Sequence, residues 1–283
     1  MGLRVIAGRR RRGASSRATT TVLSRNGDAP RSAGPLPLGR WAFAEESARR
    51  AELIHAAGSE VFDGPLIAAI VPVLGRPGRV APLLESFEAA TSKEAARIYF
   101  VAQRSDTAEV EEIVRLGHQP ILVDDADRAW CRKINRGYEH TTEPWLLLGA
   151  DDLAFKSGWV DAIRRVLLSH VGVIGTNDLG NPATANGTHS THPLVRRIYA
   201  KICGTVDERN KVVHEGYDHN FPDTELVHTA KRRVLYLHRS DCIVEHLHPV
   251  WGKGQEDSTY QLGARNFHED ERLFLSRGRR FGW

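Results

Sequence analysis

Asp151 and Asp152 follow directly on the apolar stretch Trp145-Leu146-Leu147-Leu148-Gly149-Ala150, so a short strand of large residues runs into two adjacent carboxylates. In open α/β sheets ligands gather beyond the carboxyl ends of the strands, and acids held there can bind a hard divalent cation through oxygen. A metal and phosphate site is the first expectation for this chain. Two imidazoles extend it. His246 and His248 alternate in Glu245-His246-Leu247-His248-Pro249, and alternate residues of a strand point the same way, so either can complete a metal shell with Asp151 and Asp152. An imidazole ligand favours Mn2+ over Mg2+. The competing assignments are an acid pair that merely opens a helix, and histidines that merely pack or face water.

Such a site needs a sheet to hold it, and the pattern from Leu66 onward alternates strand and helix as a parallel sheet covered on both faces requires. Ile67–Val73 reads as a buried strand, followed by the turn Gly75-Arg76-Pro77-Gly78. Val80, Leu83, Leu84 and Phe87 then share one helical face. Ile98–Val101 predicts a second strand. Val110, Ile113 and Val114 predict a helix stopped at Gly117, and Ile121–Val123 a third strand ending in Asp124 and Asp125. A helix over 129–140 leads back to the strand before Asp151. Beyond Asp152 the sequence predicts one helix through Trp159, Ile163, Val166 and Leu167, then a strand over Val171–Gly175. Asn177–Thr191 reads as a long functional or mobile loop. A helix through Leu194, Val195, Ile198, Tyr199 and Ile202 stops at Gly204, and another starts near Asp223. A strand pair over Val234–Leu237 and Cys242–Glu245 follows, and the residues from Gly252 read as a charged, partly helical extension.

The chain has 283 residues, 41% of them hydrophobic, enough for one large core or two modest ones. Its net charge of +4 is unevenly spread. Residues 1–40 hold nine Arg and one acid, Asp28, which leaves 30 basic against 34 acidic side chains in the remaining 243 residues. Residues 1–40 therefore read as a disordered basic tail with no hydrophobic periodicity. Arg9–Arg12 can touch an anionic surface or nucleic acid, but no aromatic lies among them to stack a base, so nucleic acid is not otherwise an expected partner. Residues 41–64 read as a helix and linker, with Trp41, Ala44, Ala48, Ala51 and Ile54 on one face. Cys131, Cys203 and Cys242 are too widely spaced for a disulfide framework or a thiolate zinc site, which suits a reducing cytoplasm. The longest apolar run, Leu66–Leu74, is roughly half of a bilayer span. Leu3–Ala7 is too short for the core of a secretion signal.

From about Leu66 to Pro249 the chain resembles a GT-A-fold glycosyltransferase of the large inverting family two group. Ile70-Val71-Pro72 followed by an Arg-bearing turn resembles its opening strand, and Lys133, Asn135 and Gly137 its helix upstream of the metal motif. Gly204-Thr205-Val206-Asp207-Glu208 resembles its Gly-Gly-Phe-Asp-Glu turn, and Asp223-Thr224-Glu225-Leu226 its Glu-Asp-x-Asp-Leu helix start. The metal motif of that family reads Asp-x-Asp, whereas this chain has Gly149-Ala150-Asp151-Asp152, without the first acid.

The resemblance implies a Rossmann-like nucleotide-binding half and an acceptor half within residues 65–251, with 252–283 as a helical addition. It further implies transfer of a sugar, with inversion, from a UDP- or GDP-linked donor to an unidentified acceptor, assisted by Mn2+ or Mg2+. The cation is needed because the leaving diphosphate gains negative charge as the sugar bond breaks. Nucleotide contacts are expected from Pro72, Arg76, Lys133, Asn135, Gly149, Ala150 and Asp151. Gln103 or Asp106 can read the base in place of the family's Asp pair, and so can Asp124 or Asp125. Asp223 is expected to take the acceptor proton, although an Asp after Pro222 is also a good helix N-cap. Glu225 and Asp218 are lesser candidates for the same role. Gly187–His192 can close over substrate as a loop. The rival readings are a nucleotidyltransferase, for which Leu74–Gly78 is a faint phosphate loop, and a non-catalytic module that binds nucleotide or an anionic partner.

Overall fold

All six residues of the first strand, β1 (Ile67–Pro72), are buried, as a strand covered on both faces demands. β1 pairs in parallel with β2 (Ala96–Gln103) on one side and β4 (Trp145–Leu148) on the other, and β2 pairs in parallel with β3 (Ile121–Val123). Beyond β4 the sheet changes direction. β7 (Leu194–Arg196) runs antiparallel between β4 and β6 (Val173–Asn177), β8 (Tyr236–His246) lies parallel to β6, and β5 (Leu153–Phe155) closes the edge antiparallel to β8. The order is β3-β2-β1-β4-β7-β6-β8-β5. This computed structural model describes residues 48–53, 55–56, 63–164, 166 and 169–282. The chain divides into two units, Met1–Pro37 and Leu38–Trp283; the first unit, and with it the expected arginine tail, lies outside the described residues, as do Trp41, Ala44 and Ile54.

The two-residue period of the strands splits the core. Ile67, Ala69, Val71, Trp145 and Leu147 face one layer, built on α1 (Val80–Ala90) with Phe100, Phe155 and Trp159. Ala68, Ile70, Leu146 and Leu148 face the other, built on α3 (Trp130–His140), Tyr199, Tyr217 and Leu226. α2 (Thr107–Arg115) joins the first layer through Ile113. The four apolar positions expected to bury on α1 do so. Gly137 is required for this packing, since a Cβ there would overlap the Ile70 side chain.

The structure departs from the sequence reading at several elements. Leu194 and Val195 belong to a strand rather than a helix, and only Arg197–Ile202 (α6) is helical; a three-residue strand carries no period, and β4 needs a partner along its open edge. The expected strand pair near the end is one eleven-residue strand, β8, whose register with β6 slips between Gly175 and Asn177. That irregularity absorbs the exposed residues Ser240 and Asp241, which fall between the two expected strands. Of the expected helix through Trp159, Ile163, Val166 and Leu167 the described helical part is α4 (Asp161–Arg164), Leu167 lying outside the described residues, and the long loop holds a single helical turn, α5 (Pro182–Ala185). Val114 is 47% exposed, while Glu109 is the residue α2 buries with Ile113. Ala48 and Ala51 are exposed and Leu53 is buried instead, because alanine offers too little apolar surface to set the face.

Two C-terminal helices complete the molecule. α7 (Pro222–Arg232) starts at Phe221, whose left-handed backbone (φ 71°) is held by ring contacts to Phe267 and Phe274 at 5.2 and 5.1 Å. α8 (Ser258–Phe281) buries Gly263, Asp270 and Arg277, positions seven apart and so on one face. Among the described residues no helix is long and apolar enough to cross a membrane.

Candidate active site

The parallel strands β1 and β4 end at one side of the sheet, and a cavity of about 350 Å³ opens there. Pro72 and Arg76 from the end of β1, Lys133 from α3, and Ala150, Asp151 and Asp152 after β4 all line it. His246 and His248 reach it from the end of β8, and Asp223 from the start of α7. Of the expected site residues, Gln103, Asp106, Asn135 and Gly149 do not line it.

The geometry of those four explains their positions. Asn135 is fully buried and grips a neighbouring loop, accepting from Val212 N at 2.9 Å and donating to Val213 O at 2.9 Å. Gly149 continues the β1 ladder through Ile70 O at 2.8 Å, and a Cβ there would lie 2.7 Å from that oxygen. Its carbonyl accepts from Trp130 Nε1 at 3.0 Å. Asp106 caps α2 and accepts from Gly75 N at 2.7 Å. Gln103 donates to Asp125 at 3.1 Å, and Asp125 also accepts from Ser105, while the exposed Asp124 pairs with Arg104.

The two adjacent acids face different partners. Asp151, 6% exposed, is bound by the Arg76 guanidinium at 2.8 Å; burial pushes its carboxyl up to about 6 and Arg76 restrains the rise. Asp152, 4% exposed, accepts from Tyr260 Oη at 2.8 Å and meets His246 Nε2 at 3.1 Å. Burial raises it, but His246 and Tyr260 outweigh this and hold it below the usual carboxylate range. Its second oxygen, Oδ1, is buried without a partner. A carboxylate oxygen left bare beside an imidazole is a donor set that fits a divalent cation. Among the described residues no three His, Cys, Asp or Glu side chains already converge on one point. Two protein ligands suffice for a cation that also takes phosphate oxygens and water.

Cations stand on the side of the cavity formed by β1 and α3. Lys133 is buried, donates to Val73 O at 2.6 Å, and is pushed down to about 8 by burial, opposed by Asp106, Glu109 and Asp151. Arg76 lies 4.0 Å over the Tyr260 ring and also binds Asp257 at 3.0 Å. Its backbone N–H donates to Glu109 at 2.6 Å, and burial raises the Glu109 carboxyl to about 7.

On the opposite side Asp223 occupies the second position of α7 rather than the cap, which is Phe221. Its Oδ2 faces His189 Nε2 at 3.1 Å. Burial raises Asp223, yet His189 draws it below the usual range; His189 in turn is raised by Asp223 against its own burial. Lys231 pins the loop behind His189 through Gly187 O and Thr188 O at 2.9 and 2.7 Å. Glu225 is removed from candidacy as a base: Arg277 binds it at 2.7 and 2.8 Å, and it accepts from Tyr217 at 2.7 Å. Asp218 lines the cavity but accepts from Asn266. Gly204–Glu208 lies off the cavity, with Asp207 bound to Arg277.

Tyr260, near the start of α8, lines the cavity and escaped the sequence reading. Asp257, which caps that helix, and Asp270 do not line it but support it: Asp270 accepts from three successive backbone N–H groups, Asp218, His219 and Asn220, at 2.8, 3.0 and 2.7 Å. His248 packs edge-on against Tyr260 and accepts from Val250 N at 3.1 Å; burial pushes it down to about 4.

A sheet of this order with a cavity at the β1 and β4 ends is the fold of the GT-A glycosyltransferases, as the GT-A-like expectation had it. Glucosyl-3-phosphoglycerate synthase from Mycobacterium tuberculosis with Mn2+, UDP and phosphoglyceric acid matches at a TM-score of 0.53 and 11% identity, over 81% of this chain and 82% of that one. The same enzyme with Mn2+, UDP-glucose and glycerol 3-phosphate gives 0.52 and 12%, over 80% and 83%. With Mg2+ and UDP it gives 0.51 and 11%, over 81% and 83%. No family model and no curated protein sequence matches the chain. Identities this low speak to fold alone.

Proposed function

We propose that this chain is a glycosyltransferase that moves a sugar from a UDP- or GDP-linked donor to a hydroxyl-bearing acceptor, with a divalent cation and with inversion. The observation that carries the reading is Asp152, whose buried Oδ1 lacks a partner while its Oδ2 faces His246 at the end of a GT-A sheet. Structures of the same fold hold Mn2+ or Mg2+ together with UDP or UDP-glucose.

In this reading Asp152 and His246 hold the cation, with Asp151 and His248 beside them. Mn2+ or Mg2+ bound there would offset the charge that develops on the departing diphosphate. Arg76 and Lys133 bind that diphosphate, the first through its planar fork and the second as a point charge. Arg76 must exchange Asp151 for phosphate oxygens to do so. The base would extend past the cavity toward Gln103, Asp106 and Asp125, which lie near the ends of β2 and β3 and do not line it. Asp223 takes the proton of the acceptor hydroxyl, whose oxygen attacks the anomeric carbon from the face opposite the diphosphate. The bond from that carbon to the diphosphate oxygen breaks as the new glycosidic bond forms. His189 orients Asp223 for this role.

Incubation of the purified protein with UDP- and GDP-linked sugars, with and without Mn2+, tests the reading through nucleoside diphosphate release. Metal-dependent release from at least one donor, abolished in Asp152→Asn, is expected. No release and no metal-dependent binding of UDP or GDP by calorimetry would refute it.

A further inference from the structure

The cavity carries its basic side chains on one side only. Among the described residues the Lys and Arg that line it are Arg76, Arg128 and Lys133, which come from the turn after β1, the β3–α3 connection and α3. That is the side given to the nucleotide above. The facing wall, built from residues 218–224 and the first turns of α8, contributes no Lys or Arg. It presents two acids, Asp218 and Asp223, and the apolar side chains Phe221, Leu262 and Phe267.

α8 gives this wall a direction. Tyr260 meets Asp152 at 2.8 Å, at the cation end. Phe267 lies seven residues on, so on the same helical face and roughly 10 Å further along the axis. Its ring stands 5.2 Å from that of Phe221, two residues before Asp223. Between them Gly263 makes room for His219, since a Cβ there would lie 2.7 Å from the imidazole. Asn220 is tied to the same turn, donating to Gly263 O at 2.9 Å. A molecule that approaches Asp223 along this wall therefore meets aromatic rings, an amide, an imidazole and carboxylates. A phosphate or carboxylate on it would be desolvated beside Asp218 and Asp223 with no Lys or Arg of this wall to pair it. A sugar ring fits these groups, with C–H bonds for the aromatic wall and hydroxyls for Asn220 and the acids.

We infer that the acceptor is an uncharged glycoside whose ring packs on Phe267 while one hydroxyl reaches Asp223, and that phosphorylated and carboxylated acceptors are rejected. The inference rests on the proposed transfer at Asp152 and Asp223 and names its acceptor class. The hydroxyl proton passes to Asp223, the oxygen bonds to the anomeric carbon, and the nucleoside diphosphate leaves.

The full chain, with Mn2+ and a UDP- or GDP-linked sugar that it hydrolyses, is offered methyl glucoside, galactoside and mannoside, each beside its 6-phosphate and its uronate. Assay at about pH 7.5 keeps an ordinary imidazole neutral. At least one neutral glycoside is expected to raise nucleoside diphosphate release about 10-fold over donor alone, with kcat/KM at least about 10-fold above that of its charged counterparts. For that acceptor Phe267→Ala is expected to raise KM about 10-fold while kcat changes less than about 3-fold, and Phe267→Tyr to restore KM. Donor hydrolysis that no neutral glycoside accelerates, or that a charged one accelerates as well, would overturn the inference, as would an unchanged KM in Phe267→Ala. Should Phe267→Ala fail to fold, the acceptor panel decides alone. Absence of any Mn2+-dependent donor turnover or nucleotide binding would instead sink the functional reading, and this inference with it.

Discussion

In the proposed reading, single side chains at the cavity compete with the cation and the diphosphate for their places. Tyr260 donates to Asp152 and Arg76 binds Asp151, so both acids are engaged by protein groups that must give way. Removing the competing hydroxyl is expected to help: Tyr260→Phe should tighten Mn2+ binding in the presence of UDP by about 3- to 10-fold, since a hydrogen bond to a charged group contributes about 1.5–3 kcal/mol and part of it is regained from water. Calorimetry checks this, and unchanged or weaker affinity would contradict it. Lys133 supplies a pH signature. Its ammonium is held down at about 8, so its charge is present below that pH and is lost as pH rises through it. The affinity advantage of the wild type over Lys133→Met for metal-free UDP is therefore expected to be constant from pH 6 to about 7.5 and to shrink above about 8. Taking the difference between the two proteins cancels the ionisation of the base itself.

Elements decide which residues reach the cavity, and they differ in how plainly the sequence announces them. β1, β4 and α1 are legible because long apolar runs and a 3.6-residue period have few other meanings; they place Pro72, Arg76, Asp151 and Asp152. β7 is not legible, since three residues carry no period. The buried face of α2 was misread for a related cause. Glu109 takes the inner position because it accepts the Arg76 backbone N–H, a requirement set by a distant turn. Its raised carboxyl, about 7, means that the folded state holds a proton that the unfolded chain gives up near pH 4.5. Between those values the folded state binds more protons, so this group lowers stability as pH rises. Glu109→Gln is expected to raise the melting temperature relative to wild type at pH 8 and to leave it nearly unchanged at pH 5. Equal effects at both values would contradict that origin.

At the scale of the whole molecule, the C-terminal helix is part of the cavity rather than an addition to it. Arg277 binds Glu225 and Asp207, Asp270 gathers the backbone of residues 218–220, and Asp257 with Tyr260 meets Arg76 and Asp152. Contacts over separations of 50 to 181 residues leave no local pattern, which is why α8 was legible as a helix and not as a wall of the site. Arg277→Met leaves buried Glu225 without its cation and is expected to cost about 3–5 kcal/mol of stability, read from denaturant unfolding; a loss under about 1 kcal/mol would show that the helix is held otherwise. The fold itself was legible through the order of its motifs, but its resemblance to Gly-Gly-Phe-Asp-Glu led to Asp207, which serves packing and not the cavity.

The central claim is that Asp152 and His246 receive the divalent cation together with the donor's diphosphate. Anomalous scattering from a crystal soaked with Mn2+ and UDP tests it most directly. The expected result is one Mn2+ peak bridging Asp152, His246 Nε2 and the diphosphate, with Tyr260 displaced from Asp152. A nucleotide in the cavity with Mn2+ elsewhere, or with His246 still bonded to Asp152, would contradict it.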